Sequence, residues 1–352
     1  MAENQSTASA SPELTFGTSG LRGLVTEMTD REVFVNTLGF LRYLERKGDL
    51  TTGDNVALAE DLRARDPRSG LSSSPRIAAA VVYAIRAAGA TPSHCGQIPT
   101  PALAHYAMAC GSNAARRPMA SIMVTGSHIP ADRNGVKFYR PGGEVLKAEE
   151  PAILAEVRRV RSEAAWTGDF DAGGMLLTPT PSSVALAEPA AHYVARYLDV
   201  FGVARPLVGK HVVVYQHSAV GRDLLVRILE GLGATVIAVG RRDEFVAVDT
   251  EDVTVEDEAF YADLVRTHRA DALVSTDGDG DRPLLVDEKG RFHRGDVVGI
   301  VTARFVGASV AAVPVSVSDA VDRFFAGELP PRTRVVKTRI GSPYVIEAMS
   351  AA

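Results

Sequence analysis

The sequence has 352 residues, of which 46% are hydrophobic and 23% are charged. This balance is typical of a soluble globular protein, and at about 100 to 200 residues per domain the length predicts two or three domains. The 43 acidic and 38 basic residues give a formal charge of −5, which argues against a basic surface for nucleic acid or for a membrane.

The start of the chain carries no recognisable targeting signal. Residues 1–12 are small and polar, without a basic or an apolar run, and we expect a disordered tail there. No apolar segment is long enough to cross a bilayer. Cys95 and Cys110 are too few for a disulfide framework and lack metal-ligand spacing. We therefore expect a cytoplasmic enzyme or binding protein that has neither nucleic acid nor membrane as a partner.

After the tail, β-branched runs alternate with helical stretches rich in alanine and leucine. This pattern predicts tandem related α/β domains, with mixed, largely parallel sheets sandwiched by helices. One module, a strand followed by a helix and a glycine, recurs along the chain. It comprises strand 56–59 with helix 75–88, strand 211–215 with helix 222–232, and a partial copy with helix 296–306. Each helix is followed by a glycine that can adopt the left-handed conformation, namely Gly89, Gly233 and Gly307.

Two stretches of sequence suggest domain boundaries. Residues 178–183 are rich in threonine, proline and serine, and residues 288–290 form a predicted turn. A third stretch, residues 64–71, is rich in arginine, proline and glycine, and we expect an exposed loop there between a strand and a helix.

An acidic loop gives the strongest local signal. Asp277, Asp279 and Asp281 alternate with glycines directly after residues 272–275, which predict a strand. Two carboxylates about 4 Å apart repel each other by about 4 kcal/mol at an effective dielectric constant near 20, so three together require a cation. Hard oxygen ligands select Mg²⁺, Mn²⁺ or Ca²⁺ over zinc, and open α/β sheets bind ligands at the carboxyl ends of their strands.

The acidic loop has two alternative interpretations. A calcium-binding EF-hand loop would use the three aspartates and Glu288, but its sixth position requires glycine and is Arg282 here. The flanking segments also predict strands, whereas an EF-hand loop lies between helices. A solvated acidic turn is the second alternative. The sequence favours a magnesium loop at a strand end over both.

A second polar loop follows the predicted strand 121–124. It reads TGSHIP over residues 125–130, and its Ser127 could be a nucleophile, a phosphate carrier or a turn residue. A serine hydrolase is the least favoured class. The nucleophile elbow of such enzymes needs a glycine where Ile129 stands, and no acidic partner for His128 is evident.

A third loop, near the start, reads FGTSGLRG over residues 16–23. Its glycines and hydroxyl groups, together with Arg22, suit a loop that surrounds an anion with backbone N–H groups and a guanidinium. The loop has neither the P-loop nor the Rossmann spacing of glycines. On its own, such a loop is more simply explained as a surface turn before a helix.

Together the three loops resemble one family. FGTSGLRG, TGSHIP and DGDGDR occur in this order, and the resemblance covers nearly the whole chain after residue 13. Further matches are DLR at 61–63, SSSP at 72–75, PTP at 99–101, NGVK at 134–137 and RIGSPY at 339–344. The chain resembles the α-D-phosphohexomutase superfamily, in particular its phosphomannomutase and phosphoglucomutase members.

The resemblance implies a reversible transfer of phosphate between C1 and C6 of a hexose, such as mannose or glucose phosphate. A hexose 1,6-bisphosphate would be the intermediate and activator. Ser127 would be the phosphoserine, and Asp277, Asp279 and Asp281 would hold one Mg²⁺ together with the serine phosphate. The other implied site residues are His128, Lys137 and Arg22 in catalysis, and Thr18, Ser19 and Arg282 in phosphate binding.

The resemblance also implies a domain organisation. Residues 13–185 would be domain I with the phosphoserine loop, residues 186–292 domain II with the metal loop, and residues 293–352 part of domain III. Neither sugar-loop pattern of the family, GExSGH or EANGG, occurs in the sequence, and neither does the phosphate loop of a fourth domain. We therefore expect impaired turnover of hexose phosphate.

Two smaller departures from the family pattern also occur. Ile129 stands where the family usually has asparagine, and Glu60 stands where glycine commonly precedes the aspartate. Neither departure removes a group with an expected chemical role. A non-catalytic phosphosugar- or metal-binding protein of the same fold is the alternative to an enzyme.

Overall fold

The computed structural model describes residues 14, 16–17, 20–63, 72–109, 117–178, 185–327 and 333–352. Several predictions fall outside these described residues. They are the tail 1–12, the loop 64–71, nearly all of the boundary stretch 178–183, and Thr18, Ser19 and Cys110.

Seven strands of the described N-terminal half form the first sheet. They are β1 (Phe16–Gly17), β2 (Gly20–Leu24), β3 (Asn55–Glu60), β4 (Thr91–His94), β5 (Ser121–Val124), β6 (Arg133–Arg140) and β7 (Gly143–Glu144). The strand order is β1-β2-β6-β5-β3-β4, with β7 paired to β6. β3 pairs parallel with β4 and β5. β6 returns after a short loop and is therefore antiparallel to β5.

Helices cover both faces of the first sheet. They are α1 (Asp30–Lys47), α2 (Ser73–Ala87), α3 (Thr100–Ala109) and α4 (Glu150–Ser162), with 3-10 turns at Lys147–Glu149 and Ala164–Asp169. In β3, Val56 and Leu58 belong to the core beneath α1 and α2, whereas Ala57 and Ala59 pack with α3. Because both faces of this strand are buried, its sequence is a continuous apolar run and not an alternating one.

The second sheet has the order β12-β11-β10-β8-β9. Its part of the chain contains α5 (Glu188–Phe201), a 3-10 turn (Gly202–Ala204), β8 (His211–Tyr215), α6 (Arg222–Gly231), β9 (Thr235–Val239), α7 (Val255–His268), β10 (Ala272–Thr276), β11 (Pro283–Asp287) and β12 (Phe292–His293). β8 pairs parallel with β9 and β10, and β11 is antiparallel to β10 and β12. The turn 288–290, predicted as a boundary, joins β11 to β12 within this sheet.

The third sheet consists of two parallel strands. This region contains α8 (Gly295–Phe305), β13 (Val310–Pro314), α9 (Ala320–Ala326), β14 (Arg334–Thr338) and α10 (Ser342–Ser350). Its small core is built around Ile300, Val321 and Phe325.

The predicted α/β class is confirmed, with sheets that mix parallel and antiparallel pairs. The predicted modules match β3 with α2, β8 with α6, and α8. The three glycines that follow these helices have positive φ, 72° at Gly89, 103° at Gly233 and 65° at Gly307, as the left-handed helix ending requires. In the part of the chain that the structure describes, no helix is both long and apolar enough to cross a membrane.

Candidate active site

The loop after β5 and the loop after β10 meet between the first and second sheets. Ser127 Oγ donates a 2.6 Å hydrogen bond to Asp277 Oδ2, although the two residues lie 150 positions apart. Ser127 is buried, and its φ of 56° is in the left-handed region that residues other than glycine rarely adopt. The two loops that the sequence places at strand ends therefore form one site.

A buried polar relay holds Ser127 in this conformation. The Ser127 N–H donates to Thr125 Oγ1 over 2.8 Å, and that hydroxyl donates to Asp61 Oδ2 over 2.7 Å. Asp61, directly after β3, also accepts a 2.6 Å bond from the Ser74 hydroxyl. Burial raises the pKa of Asp61, while Arg63, Ser74 and Thr125 oppose this rise. The relay fixes the Ser127 backbone from the interior of the first sheet.

Three carboxylates cluster beside Ser127. One oxygen from each of Asp277, Asp279 and Asp281 lies within 4.8 Å of the others. Asp277 and Asp279 are fully buried, whereas Asp281 reaches the surface. Thr100, at the start of α3, donates to Asp279 twice, from its hydroxyl to Oδ2 over 2.6 Å and from its N–H to the backbone carbonyl over 2.8 Å. The first sheet thus helps to shape the acidic loop of the second.

Lys137 on β6 supplies a positive charge to this cluster. Its Nζ lies 2.7 Å from Asp279 Oδ2 and 2.7 Å from Asp281 Oδ2. Burial lowers the pKa of Lys137, but Asp279 and other neighbours outweigh burial and raise it above its ordinary value. Burial likewise opposes ionisation of Asp279, yet Lys137 and Thr100 lower the pKa of that carboxyl. Lys137 and Asp279 therefore form a charged pair.

Asp277 differs from its neighbour. Burial and the charges of Asp279 and Asp281 raise its pKa to about 8, although the hydrogen bond from Ser127 opposes the rise. The raised pKa indicates that the negative charge of the three carboxyls exceeds the positive charge that neighbouring residues supply. A divalent cation would relieve this repulsion.

The donor set fits a hard divalent cation. Asp279 Oδ1 is buried and has no hydrogen-bond partner among the described residues, which leaves one oxygen free for a ligand. Carboxylate oxygens are the ligands that Mg²⁺ and Ca²⁺ prefer. The EF-hand alternative is wrong, because β10 and β11 flank the loop and Glu288 lies in the turn beyond β11.

The other predicted site residues lie around Ser127 at different distances. His128 Nδ1 is 3.2 Å from Ser127 Oγ, and Nε2 is 3.9 Å from Asp249 Oδ2. Burial, Arg282 and Arg22 lower the pKa of His128 against the opposing charge of Asp249. We therefore expect a neutral imidazole near pH 7. In this state the ring can exchange a proton with the serine oxygen.

The two predicted arginines are less tightly held. Arg282 Nη1 lies 3.2 Å from Glu251 Oε2, an exposed carboxylate. Arg22 is exposed on β2, and its charge contributes to the low pKa of His128. The structure thus brings Ser127, His128 and Arg282 to one place, with Arg22 near enough to act on them electrostatically.

Sequence reasoning gave no role to several residues of the site. Asp61, Arg63 and Thr100 lie in short matches to the family, DLR and PTP, and those matches were the available signal. Thr125 stands in the serine loop itself. Glu60, which stands where the family commonly has glycine, pairs with His94 on β4. The distance between Glu60 Oε2 and His94 Nε2 is 3.1 Å.

Comparison with known proteins identifies the family. Residues 13–164 match the family described as "Phosphoglucomutase/phosphomannomutase, alpha/beta/alpha domain I", and residues 192–290 match its domain II. Together the two matches cover more than half of the chain. The chain belongs to the phosphoglucomutase/phosphomannomutase family of the α-D-phosphohexomutase superfamily.

Individual relatives agree with this assignment. A phosphomannomutase from Sinorhizobium fredii is 40% identical over 337 residues, which cover 96% of this chain and 65% of that protein. A phosphomannomutase from Salmonella muenchen is 38% identical over 340 residues, which cover 96% of this chain and 62% of that protein. This chain therefore spans less than two thirds of the length of either relative.

Solved structures show the same fold. A putative phosphomannomutase from Thermus thermophilus superposes with a TM-score of 0.73 at 21% identity, over 97% of this chain and 72% of that one. A phosphoglucomutase/phosphomannomutase family protein from Burkholderia thailandensis gives a TM-score of 0.72 at 21% identity, over 96% of this chain and 68% of that one.

Proposed function

We propose that the protein is an isomerase that transfers a phosphoryl group between C1 and C6 of a hexose phosphate through a phosphoserine at Ser127. The observation that carries this proposal is the 2.6 Å hydrogen bond from Ser127 Oγ to Asp277, within a cluster of three carboxylates. A serine hydroxyl held against a cation site is what a phosphate carrier needs, because phosphoryl transfer depends on positioning and charge neutralisation.

The proposed step moves one phosphoryl group from Ser127 to the sugar. The bond between phosphorus and Ser127 Oγ breaks, and a bond forms between phosphorus and a free hydroxyl oxygen of the hexose phosphate. The hydroxyl proton ends on Ser127 Oγ, and neutral His128, with Nδ1 3.2 Å from that oxygen, is the proposed carrier. The product is a hexose 1,6-bisphosphate. Return of its other phosphoryl group to Ser127 completes the isomerisation.

The charges near Ser127 support this chemistry. Phosphoserine carries about −1.5 to −2 charges at pH 7, beside three carboxylates. Lys137 is the nearest fixed cation to those carboxylates, and Arg282 and Arg22 are proposed to contact phosphate oxygens. Asp277, Asp279 and Asp281 would hold one Mg²⁺ together with the serine phosphate. When bound, the ion would neutralise negative charge at the transferred group.

We propose mannose phosphate as the first substrate to test and glucose phosphate as the second. The two relatives at 40% and 38% identity are phosphomannomutases, and the phosphoglucosamine mutases among the relatives are 27–29% identical. A polypeptide of these 352 residues spans 65% of the first relative and lacks both sugar-loop patterns. We propose that Ser127 is the residue within this span that accepts phosphate.

The test begins with phosphorylation. The purified chain is incubated with a hexose 1,6-bisphosphate and Mg²⁺, and its intact mass is measured before and after phosphatase treatment. A phosphorylated chain is heavier by the mass of one HPO₃ group, about 80 Da. Ser127→Ala is expected to lose this increment, whereas Ser162→Ala, which changes an exposed serine on α4, is expected to keep it. An unphosphorylated wild-type chain, or a phosphorylated Ser127→Ala chain, would disprove the role of Ser127.

Two alternatives predict different results. A non-catalytic binding protein would bind Mg²⁺ and hexose phosphate but transfer no phosphate in this assay. A serine hydrolase would react at Ser127 with a serine-directed phosphonate probe. The structure disfavours a hydrolase, because Asp249 is too distant from His128 for a hydrogen bond, with 3.9 Å between the atoms, and Ser127 Oγ donates to Asp277 instead.

A further inference from the structure

The Arg63 guanidinium lies at the centre of the Ser127 loop. Arg63 is 1% exposed and is the bulkiest fully buried side chain in the described part of the protein. It donates hydrogen bonds to four backbone carbonyls, those of Ser127 at 2.8 Å, Ile129 at 2.7 Å, Pro130 at 2.8 Å and Arg133 at 3.1 Å. Asp61 balances the charge, with 3.4 Å between its Oδ2 and Arg63 Nε. One cation thus binds three carbonyls of the serine loop and one at the start of β6.

The same guanidinium contacts a loop that follows β9 of the second sheet. The ring of Phe245, in the loop between β9 and α7, has its centroid 4.2 Å from Arg63 Cζ, a distance typical of a cation–π contact. Phe245 is 9% exposed. Its ring also lies close to the acidic loop, because a β-carbon at Gly278 would be 3.1 Å from a ring carbon and 2.8 Å from the Ser127 carbonyl oxygen.

We propose that Arg63 and Phe245 form an interlock that sets the separation between Ser127 and the acidic loop. Arg63 shapes the serine loop, and Phe245 sits against both that cation and the backbone of the acidic loop. The two are positioning residues, since neither is proposed to touch the transferred phosphate. Their role in transfer rests on the proposed function, whereas the mechanical link between the two loops does not.

The chemistry of the two side chains supports the interlock. A lysine cannot replace Arg63, because an ammonium lacks the planar fork that serves several carbonyls and the flat face that stacks on a ring. An aliphatic residue cannot replace Phe245, because it has no π face for the cation. Phosphoryl transfer is sensitive to such placement, since a displacement of about 1 Å can cost about 100-fold in rate.

The first experiment measures the mechanical link without requiring turnover. Hydrogen–deuterium exchange of the full chain is compared between the wild type and Phe245→Leu. Faster exchange at residues 125–133 is expected, although the substitution lies in the loop between β9 and α7. Phe292→Leu is the matched control, because Phe292 is a partly buried aromatic that packs against the core of the second sheet. This variant is expected to leave exchange at residues 125–133 unchanged. Unchanged exchange in Phe245→Leu, or equal acceleration in both variants, would overturn the interlock.

A reciprocal variant keeps the test decisive if Phe245→Leu does not fold. Arg63→Lys is expected to accelerate exchange at residues 243–248, in the loop between β9 and α7. Protection there equal to that of the wild type would also overturn the proposal.

The second experiment measures transfer from phosphorylated Ser127 to hexose phosphate. Phe245→Leu is expected to lower kcat about tenfold with KM within about twofold, because Ser127 and the acidic loop would no longer be held at the separation that transfer requires. The double variant with Arg63→Lys is expected to be about as slow as Arg63→Lys alone, and Phe245→Tyr is expected to restore the rate. If the double variant instead showed the sum of the two single losses in activation free energy, a shared role of Arg63 and Phe245 would be refuted. A wild type that transfers no phosphate would refute the proposed function, and the exchange data would still decide the interlock.

Discussion

Lys137 is the group whose removal tests the electrostatics of the site most directly. Its ammonium lies 2.7 Å from oxygens of both Asp279 and Asp281, and Asp279 is fully buried. Lys137→Met keeps an apolar stem of similar length and removes the charge. The substitution leaves a buried carboxylate without its counter-ion.

The expected loss of stability follows from this burial. Removing one partner of a buried ion pair costs about 3–5 kcal/mol, because the remaining charge stays uncompensated. We assign most of the loss to the pair with Asp279, since Asp281 is 31% exposed and its pair is screened by water. Lys137→Met is therefore expected to lose about 3 kcal/mol of unfolding free energy in the absence of divalent cations.

Magnesium should then restore part of the loss. If the three aspartates bind the ion, it supplies the charge that the ammonium no longer provides, so Mg²⁺ stabilises Lys137→Met more than the wild type. Urea unfolding with chelator and with saturating Mg²⁺ measures both effects. The control is Lys210→Met, which breaks an exposed pair with Asp271 and should change little. A Lys137→Met chain as stable as the wild type in chelator, or equal stabilisation of both by Mg²⁺, would refute the reasoning.

Three further predictions concern neighbouring groups. Thr100→Val removes the hydroxyl that bonds Asp279 and should weaken Mg²⁺ binding about tenfold in calorimetric titrations. Gly126→Ala would place a β-carbon 2.5 Å from Arg63 Cζ, and should lower both Tm and the phosphorylated fraction in intact mass. His217 is fully buried, and burial lowers its pKa to about 4. Urea unfolding should therefore show stability falling by up to roughly 3 kcal/mol as pH drops from about 6.5 to 4.

The direction of the last effect follows from proton binding. Because the pKa of His217 is lower in the folded chain than its ordinary value, the unfolded chain binds more protons between these pH values, and acid favours unfolding. His217→Gln should flatten this part of the pH profile, and an unchanged slope would contradict the assignment.

Thr302→Val and Gly299→Ala are the matched controls for the other two predictions, since Thr302 is exposed and a β-carbon at Gly299 would meet nothing within 4 Å. If Thr302→Val lost as much Mg²⁺ affinity as Thr100→Val, or Gly299→Ala lost as much Tm and phosphorylation as Gly126→Ala, the site-specific explanation would be contradicted.

Much of the fold could be predicted from local sequence. The run Val56–Ala59 matches β3, and Ala272–Ser275 matches all but the last residue of β10, because buried strands next to short polar loops leave a clear apolar pattern. The sequence likewise predicts that the acidic loop and the serine loop follow strands, and they follow β10 and β5. Their roles in phosphate transfer and metal binding stay predictions.

The sequence does not predict that the serine loop and the acidic loop contact each other. The bond between Ser127 and Asp277 joins residues 150 positions apart, and no local periodicity encodes such a contact. Thr100 stands between two prolines, and Phe245 is a single aromatic in a charged segment. Neither residue therefore has a local sequence pattern that predicts a role in the site. Their positions become informative only when the first and second sheets are placed together.

The junction at Thr100 limits how this protein can be recombined with its relatives. Asp279 receives two hydrogen bonds from Thr100, and a β-carbon at Gly280 would lie 2.7 Å from Pro99. Gly280 also has a φ of 76°, so any side chain at this position would be strained as well as too close to Pro99. A chimera that exchanges the second sheet for that of a relative has to carry the matching start of α3 with it.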